Sequence, residues 1–182
     1  MTKSSLLTRC KNGDQAGWKL LYDNYVRSVY RWGLFMGLKR HQAEDVTQEV
    51  FMTAVKNIGD CQSEKKLPSW LFQITRRHAA NARRKAWVRR VLRFPDGDLD
   101  AFLSQRSDAG MVSSHELNPD LHRVLARLPL NHASVLIMAD MEGFKRDEIA
   151  QMLQIPPGTV ASRLRKARDL FSKLWQADGG EK

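Results

Sequence analysis

The sequence predicts an all-α fold: two small helical domains joined by a flexible acidic linker, the C-terminal one a helix-turn-helix. Three observations carry this. Apolar residues recur every three or four positions in each ordered stretch, and nowhere alternate as in a strand. Between residues 94 and 119 the pattern fails, and Pro, Gly, Ser and Asp take over. Near the C-terminus two amphipathic stretches are split by Gln154-Ile155-Pro156-Pro157-Gly158. Proline suits a first helical turn but not an interior, so a second helix must begin there.

Composition narrows the function classes. The 182 residues are enough for two small domains. Lys and Arg number 30 against 20 Asp and Glu, a formal charge of +10, which suits a polyanionic partner. No apolar run reaches the length of a membrane-spanning helix, so no membrane insertion is expected. Arg9, Lys11 and Asp14 follow the first residues too soon for a secretory signal. Cys10 and Cys61 lack metal-site spacing and point to thiols in a reducing cytosol, a cytoplasmic protein. Neither a Ser-His-Asp set, nor a metal cluster, nor a phosphate-cradling Gly loop stands in the sequence, so no enzyme, metal or cofactor is expected.

Taken in order, residues 14 to 36 make one helix, with Leu21, Tyr25, Val29, Trp32 and Met36 in a stripe that Trp18, Tyr22 and Val26 widen. Gly37 and Lys39-Arg40-His41 break it. The helix over 42–58 has Ala43, Val46, Val50, Ala54 and Ile58 on one face, with Phe51 and Val55 beside them. Its far face carries Asp45, Gln48, Glu49, Met52 and Lys56, by periodicity alone a solvated polar face. After a loop from Gly59 to Leu67, Pro68 starts a third helix in which Trp70, Leu71 and Ile74 continue the core. Arginines crowd the rest, and no acid lies between Gln73 and Arg93, a run that repels itself unless a polyanion neutralises it. His78 has no partner ligand at helical spacing, so a surface or phosphate role is preferred to a metal one. Asn118-Pro119-Asp120 starts the next helix, with Leu121, Val124, Leu125 and Leu128 buried and Pro129 ending it. Ala133, Val135, Leu136, Ile137 and Met141 supply another, closed by Gly143. The last two helices bury Ile149, Met152 and Leu153, then Val160, Leu164, Ala167, Phe171 and Leu174. The tail after Trp175 is expected to fray.

Four strings carry a resemblance. "AEDVTQEVFMTAVKNI", "LPSWLFQITRRHAANARRK", "LARLPLNHASVLIMADMEGF" and "DEIAQMLQIPPGTVASRLRKAR" stand in the order found in sigma factors of the extracytoplasmic-function (ECF) type, bacterial initiation factors that lend promoter specificity to RNA polymerase. The resemblance runs from about Asp14 to Trp175, the linker apart. It implies a region 2-like domain over 1–93, an acidic linker over 94–119 and a region 4-like domain over 120–182. Core RNA polymerase is the implied partner, held through its largest-subunit clamp and the flap of its second-largest subunit, with promoter DNA. Most members are restrained by an anti-sigma factor. Asp45, Gln48, Glu49 and Met52 are the implied polymerase contacts; carboxylates there would meet basic partner side chains. For the −10 region the implied set is Asp60, Ser63, Lys65, Lys66, Arg76, Arg77, Asn81, Arg83 and Arg84, with a flipped base captured by the loop. Trp70 could stack on that base, though its place in the apolar stripe favours the core. For the −35 region the set is Thr159, Ser162, Arg163, Arg165, Lys166 and Arg168, the early residues reading bases and Arg163 and Arg168 clamping the backbone.

Some positions depart from the family pattern. Arg77 and His78 stand where relatives commonly have Asn and Leu, and Ala161 where a Lys or Arg is common. The acidic linker, with Asp96, Asp98, Asp100, Asp108 and Glu116, is read as a tether or as an occupant of a basic polymerase channel. The competing function is a polymerase-independent helix-turn-helix repressor or activator, which would need a dimer surface and palindromic half-sites that no spare apolar helix supplies.

Overall fold

A computed structural model describes residues 5–93 and 118–178. The linker readings, including its four aspartates, lie outside the described residues, as does the end of the tail beyond Asp178. Eight α-helices and no strand occur among the described residues.

Helix α1 (Leu6–Lys11) precedes the first helix that the apolar spacing marks. The Ser5 hydroxyl caps it by accepting from the Thr8 amide, and Leu7 and Cys10 are buried. Helix α2 (Gln15–Phe35) is capped by Asp14, whose carboxylate accepts from the Ala16 amide and pairs with Arg9 at 2.6 Å. That contact holds the Asp14 carboxyl below its usual value. Leu21, Val29, Trp32 and Met36 are buried as their spacing predicts, whereas Tyr22 is exposed and packs its ring on Phe51, centroids 4.8 Å apart. Gly37 ends the helix at φ +85°, a left-handed turn that glycine adopts without strain.

Helix α3 (Arg40–Asn57) opens with the Lys39 amide donating to the Gln42 side chain at 3.0 Å. Ala43, Val46, Val50 and Ala54 face inward. Val55, expected beside that stripe, is instead 55% exposed. Two 3-10 turns, Ile58–Asp60 and Glu64–Lys66, carry the loop into α4 (Leu67–Arg93). Lys11 donates to the Cys61 carbonyl at 2.9 Å, so α1 pins this loop. Both cysteines are buried and free, and burial pushes both thiols up, which keeps them inert. Leu71, Phe72 and Ile74 of α4 fill the centre of this domain, with Phe72 edge-on to Trp32 at 5.1 Å. Trp70 is half-buried against the core, as its place in the stripe predicts.

The second domain starts at α5 (Pro119–Arg127), where the Asn118 side chain accepts from the amides of Asp120 and Leu121. Helix α6 (Leu130–Leu136) runs into a π turn, Ile137–Met141, where the Glu142 amide donates to the Ile137 carbonyl at 3.0 Å. Met141, expected in the core, is turned outward by it. Helix α7 (Arg146–Leu153) ends at Gln154, held in the left-handed region at φ 53°. Helix α8 (Pro157–Ala177) follows, with Pro157 in its first turn. It does not fray after Trp175: Asp178 accepts from Arg127 at 2.9 Å and from Arg123 at 3.1 Å. Burial would raise the Asp178 carboxyl, but these two arginines bring it below its ordinary value.

The two domains touch. Helix α2 packs on α5 and α4 on α7, and buried apolar residues of both halves form one continuous cluster.

Candidate polymerase and promoter surfaces

Helix α3 buries one side and turns Asp45, Gln48, Glu49 and Met52 to solvent. Met52 is 61% exposed, and Val55 one turn on extends the same apolar spot. Periodicity puts Val55 beside the buried stripe; its exposure places it next to these polar residues. Glu49 also has a partner in the fold. Its carboxylate pairs with His78 Nδ1 at 2.8 Å, and His78 Nε2 lies 3.0 Å from the Thr53 hydroxyl. His78 is thus half-buried between α3 and α4, and neither free for phosphate nor placed among metal ligands. No group of metal-ligating side chains occurs among the described residues. No described helix is long and apolar enough to cross a membrane.

The residues implied for the −10 region divide in two. Asp60, Ser63, Lys65, Lys66, Arg77, Asn81 and Arg84 are exposed. Arg76 and Arg83 are half-buried at the boundary with the second domain. Arg76 donates to the Asn131 side chain at 2.7 Å, and Arg83 to the Met36 carbonyl at 2.9 Å and the Leu128 carbonyl at 3.5 Å. Met36 and Leu128 end α2 and α5, so one guanidinium sits at the carbonyl ends of two helices, where a cation is favoured. Burial lowers the proton affinity of both arginines, and at Arg76 the charge of Arg163 adds to it. Arg76 and Arg163 were expected at different promoter elements; here they lie near each other. Further along α4, Trp87 is 61% exposed among Arg83, Arg84 and Lys85, a ring that sequence reasoning had not singled out.

On α8, Val160 and Ala167 are buried and Leu164 partly so, which leaves Ser162, Arg165 and Lys166 outward as the spacing predicts. Thr159 and Arg163 are partly covered, and the Ser162 hydroxyl donates to the Thr159 carbonyl at 3.1 Å. Arg168 is exposed but engaged: it grips Asp140 in a two-point contact at 2.6 and 3.0 Å, which raises its proton affinity. A role as a backbone clamp would require it to leave that carboxylate.

Comparison with known proteins gives this arrangement its context. The family model for Sigma-70 region 2 matches residues 21–89, and that for Sigma-70, region 4 matches residues 119–170. The RNA polymerase sigma-H factor of Pseudomonas aeruginosa is 26% identical, over 94% of this chain and 92% of the relative. The ECF RNA polymerase sigma factor SigW of Bacillus subtilis is also 26% identical, over 92% and 93%. The ECF RNA polymerase sigma-E factor of Escherichia coli is 26% identical, over 97% and 95%. Among solved structures, CnrH in complex with the cytosolic domain of CnrY shares the fold with a TM-score of 0.66 at 18% identity, over 95% of this chain and 96% of that one. The sigma factor RpoE of Bartonella quintana, in complex with the anti-sigma factor NepR, gives a TM-score of 0.68 at 22% identity, over 88% and 97%. With both regions matched in order across two helical domains, the chain belongs to the sigma-70 family of RNA polymerase sigma factors, in its ECF branch: a non-enzymatic initiation factor that binds core RNA polymerase and directs promoter-specific transcription.

Proposed function

We propose that residues 1–93 dock on the clamp of the polymerase largest subunit and read the −10 element, and that residues 120–182 engage the flap of the second-largest subunit and read the −35 element, with 94–119 as the connection. The observation that carries the first assignment is the outward face of α3. Asp45, Gln48 and Glu49 lie beside the exposed apolar pair Met52 and Val55, an acidic rim around an apolar centre that suits a basic partner. Asp60, Ser63, Lys65, Lys66, Arg77, Asn81 and Arg84 form the exposed part of the −10 surface, and Arg76 and Arg83 join it. Ser162, Arg165 and Lys166 read the −35 element from the early turns of α8, supported by Thr159, Arg163 and Arg168.

Gel filtration with core polymerase tests the docking face: the wild type co-migrates and an Asp45→Lys/Glu49→Lys variant does not. Equal co-migration of the two would reject the assignment. An anti-sigma factor is a further proposed partner, since two fold neighbours were solved bound to CnrY and to NepR. The cytoplasm, where polymerase works, is the proposed location.

A further inference from the structure

The loop from Gly59 to Leu67 is restrained from outside by α1, a helix that supplies no residue to the DNA and polymerase sets above. Inside the loop the bonds are local. The Cys61 amide donates to the Ile58 carbonyl at 3.2 Å, the Cys61 thiol to the Ser63 carbonyl at 3.4 Å, and the Lys66 amide to the Ser63 carbonyl at 3.0 Å. Ile58, Cys61 and Leu67 are buried, which fixes both ends and one point between. Asp60 and residues 62–66 are exposed. Gly59 adds no restraint. A Cβ built there would meet nothing within 4 Å, so neither a side chain nor a neighbour confines the backbone just before Asp60.

Lys11 supplies what the loop lacks. Its ammonium donates to the Cys61 carbonyl at 2.9 Å and to the Gly59 carbonyl at 3.5 Å, from 50 and 48 positions away. Those two carbonyls flank Asp60, so one cation fixes the chain on either side of it. Bonds from a charged donor are among the stronger ones. Lys11 is in place because α1 is. Leu7 and Cys10 bury one side of that helix, and Arg9 pairs with Asp14 at 2.6 Å. A Cβ built on Gly17 of α2 would stand 2.8 Å from Arg9 Cβ, closer than real Cβ atoms come. Glycine at that position is what lets α1 lie so close, with the lysine of its last turn reaching the loop.

We propose that Lys11 is a positioning residue for −10 recognition: by fixing the backbone around Asp60 it presets the loop in the shape that accepts an unpaired base, and so sets base preference without touching DNA. The proposal rests on the assignment of the loop to the −10 element made above. Its physical reason is pre-organisation. A loop that must order itself on binding gives up part of the gain from the right base, and binds as though only its ordered fraction were present. A wrong base does not use that shape and loses less. A restraint from outside the loop therefore governs the difference between bases rather than affinity for DNA in general.

The test uses the full chain in holoenzyme. Lys11→Met keeps the stem and removes the ammonium, and Lys11→Arg keeps a donor of the same charge. Lys11 is exposed, so both should keep the wild-type helical circular dichroism. Each holoenzyme transcribes a pool of barcoded promoter duplexes randomised over the −35 and −10 windows, and sequencing the transcripts gives base preference position by position. Where the wild type shows its strongest −10 preference, Lys11→Met should lower the ratio of best to next base by about three- to tenfold, as expected if the ordered fraction of the loop falls to between about a third and a tenth. Preference at −35 should not change, and Lys11→Arg should restore most of the −10 ratio. Lys11→Gln, which keeps a neutral donor, should fall between, and it keeps the test valid if Lys11→Met misfolds. A uniform loss of output with base ratios kept would make Lys11 a phosphate contact and overturns the proposal. Unchanged ratios and output overturn it too. Asp60→Ala with Ser63→Ala in the same assay separates the causes: ratios altered there but not in Lys11→Met reject the role of the lysine alone, and ratios unaltered in both remove the loop's −10 assignment as well.

Discussion

Met52 and Val55 give the sharpest test of the docking face. Both side chains project from α3 beside Asp45, Gln48 and Glu49, and 61% and 55% of their surfaces remain exposed. Fully burying a side chain of this kind is worth about 1.5–3 kcal/mol, and somewhat over half of that is still available here, about 1 kcal/mol or more from each. Met52→Gln with Val55→Thr keeps shape and adds no charge. Because neither residue supports the core, the free chain should keep its stability to within about 0.5 kcal/mol. Core polymerase should bind about 2 kcal/mol more weakly, close to a thirtyfold rise in Kd. Fluorescence anisotropy of labelled chain against core polymerase reads the affinity, and a thermal melt reads the fold. An intact melt with core affinity within about threefold of wild type would refute the argument.

Other expectations follow from the same contacts. Arg165→Ala should cost about 1–3 kcal/mol and relax specificity at one −35 position, read from a promoter-variant series. Asp140→Ala releases Arg168; binding to all promoter sequences should tighten alike, and no change would assign Arg168 to the fold instead. His122 is pushed below its ordinary 6.5 by burial and by Arg40 against an opposing hydrogen bond to Leu34, and His132 by burial and by the charges of Lys166 and Arg163. The folded packing therefore binds fewer protons, so stability is full above pH 6.5 and falls as the pH drops below it. Melting at about pH 5.5 should come below melting at about pH 7.5, and His122→Gln should shrink the difference. Replacing Asp96, Asp98, Asp100 and Asp108 with Ser should alter the yields of short and full-length RNA more than promoter binding, measured by gel analysis of transcripts.

What the sequence disclosed is what has a period or a local rule. The stripes of α2, α3 and α8 repeat every three or four residues, and Asn118, Pro119 and Pro157 act within one turn of themselves. Even there, periodicity misplaced Val55 and Met141: it marks a face but not where a neighbouring helix ends. Contacts between distant positions left no such trace. Trp32 and Glu142 are 110 positions apart, and Arg76 and Asn131 are 55. Arg76 and Arg83 thus read as plain basic residues, and Arg168 as a free cation, because the carbonyls, amide or carboxylate that hold them are chosen by the tertiary fold. Ligand spacing within α4 says nothing of the surroundings of His78, whose partners Glu49 and Thr53 stand on α3.

The π turn from Ile137 to Met141 has a consequence in chain length. Its bond reaches back one residue further than in an α-helix, the Glu142 amide finding Ile137, and beyond it the Phe144 amide closes on Met138 through the Gly143 turn. Such a turn holds one residue more than the regular winding. Deleting Ala139 would let the helix close regularly and would rotate everything beyond it by about 100° with a 1.5 Å shift. Asp140 would leave Arg168, and Glu142 would leave Trp32 and Arg31, although none of those five side chains had been altered. The setting of these contacts, one inside the second domain and one across the boundary, is therefore written partly as a count of residues. A single-codon deletion in this turn should undo as many clasps as substitutions at both carboxylates.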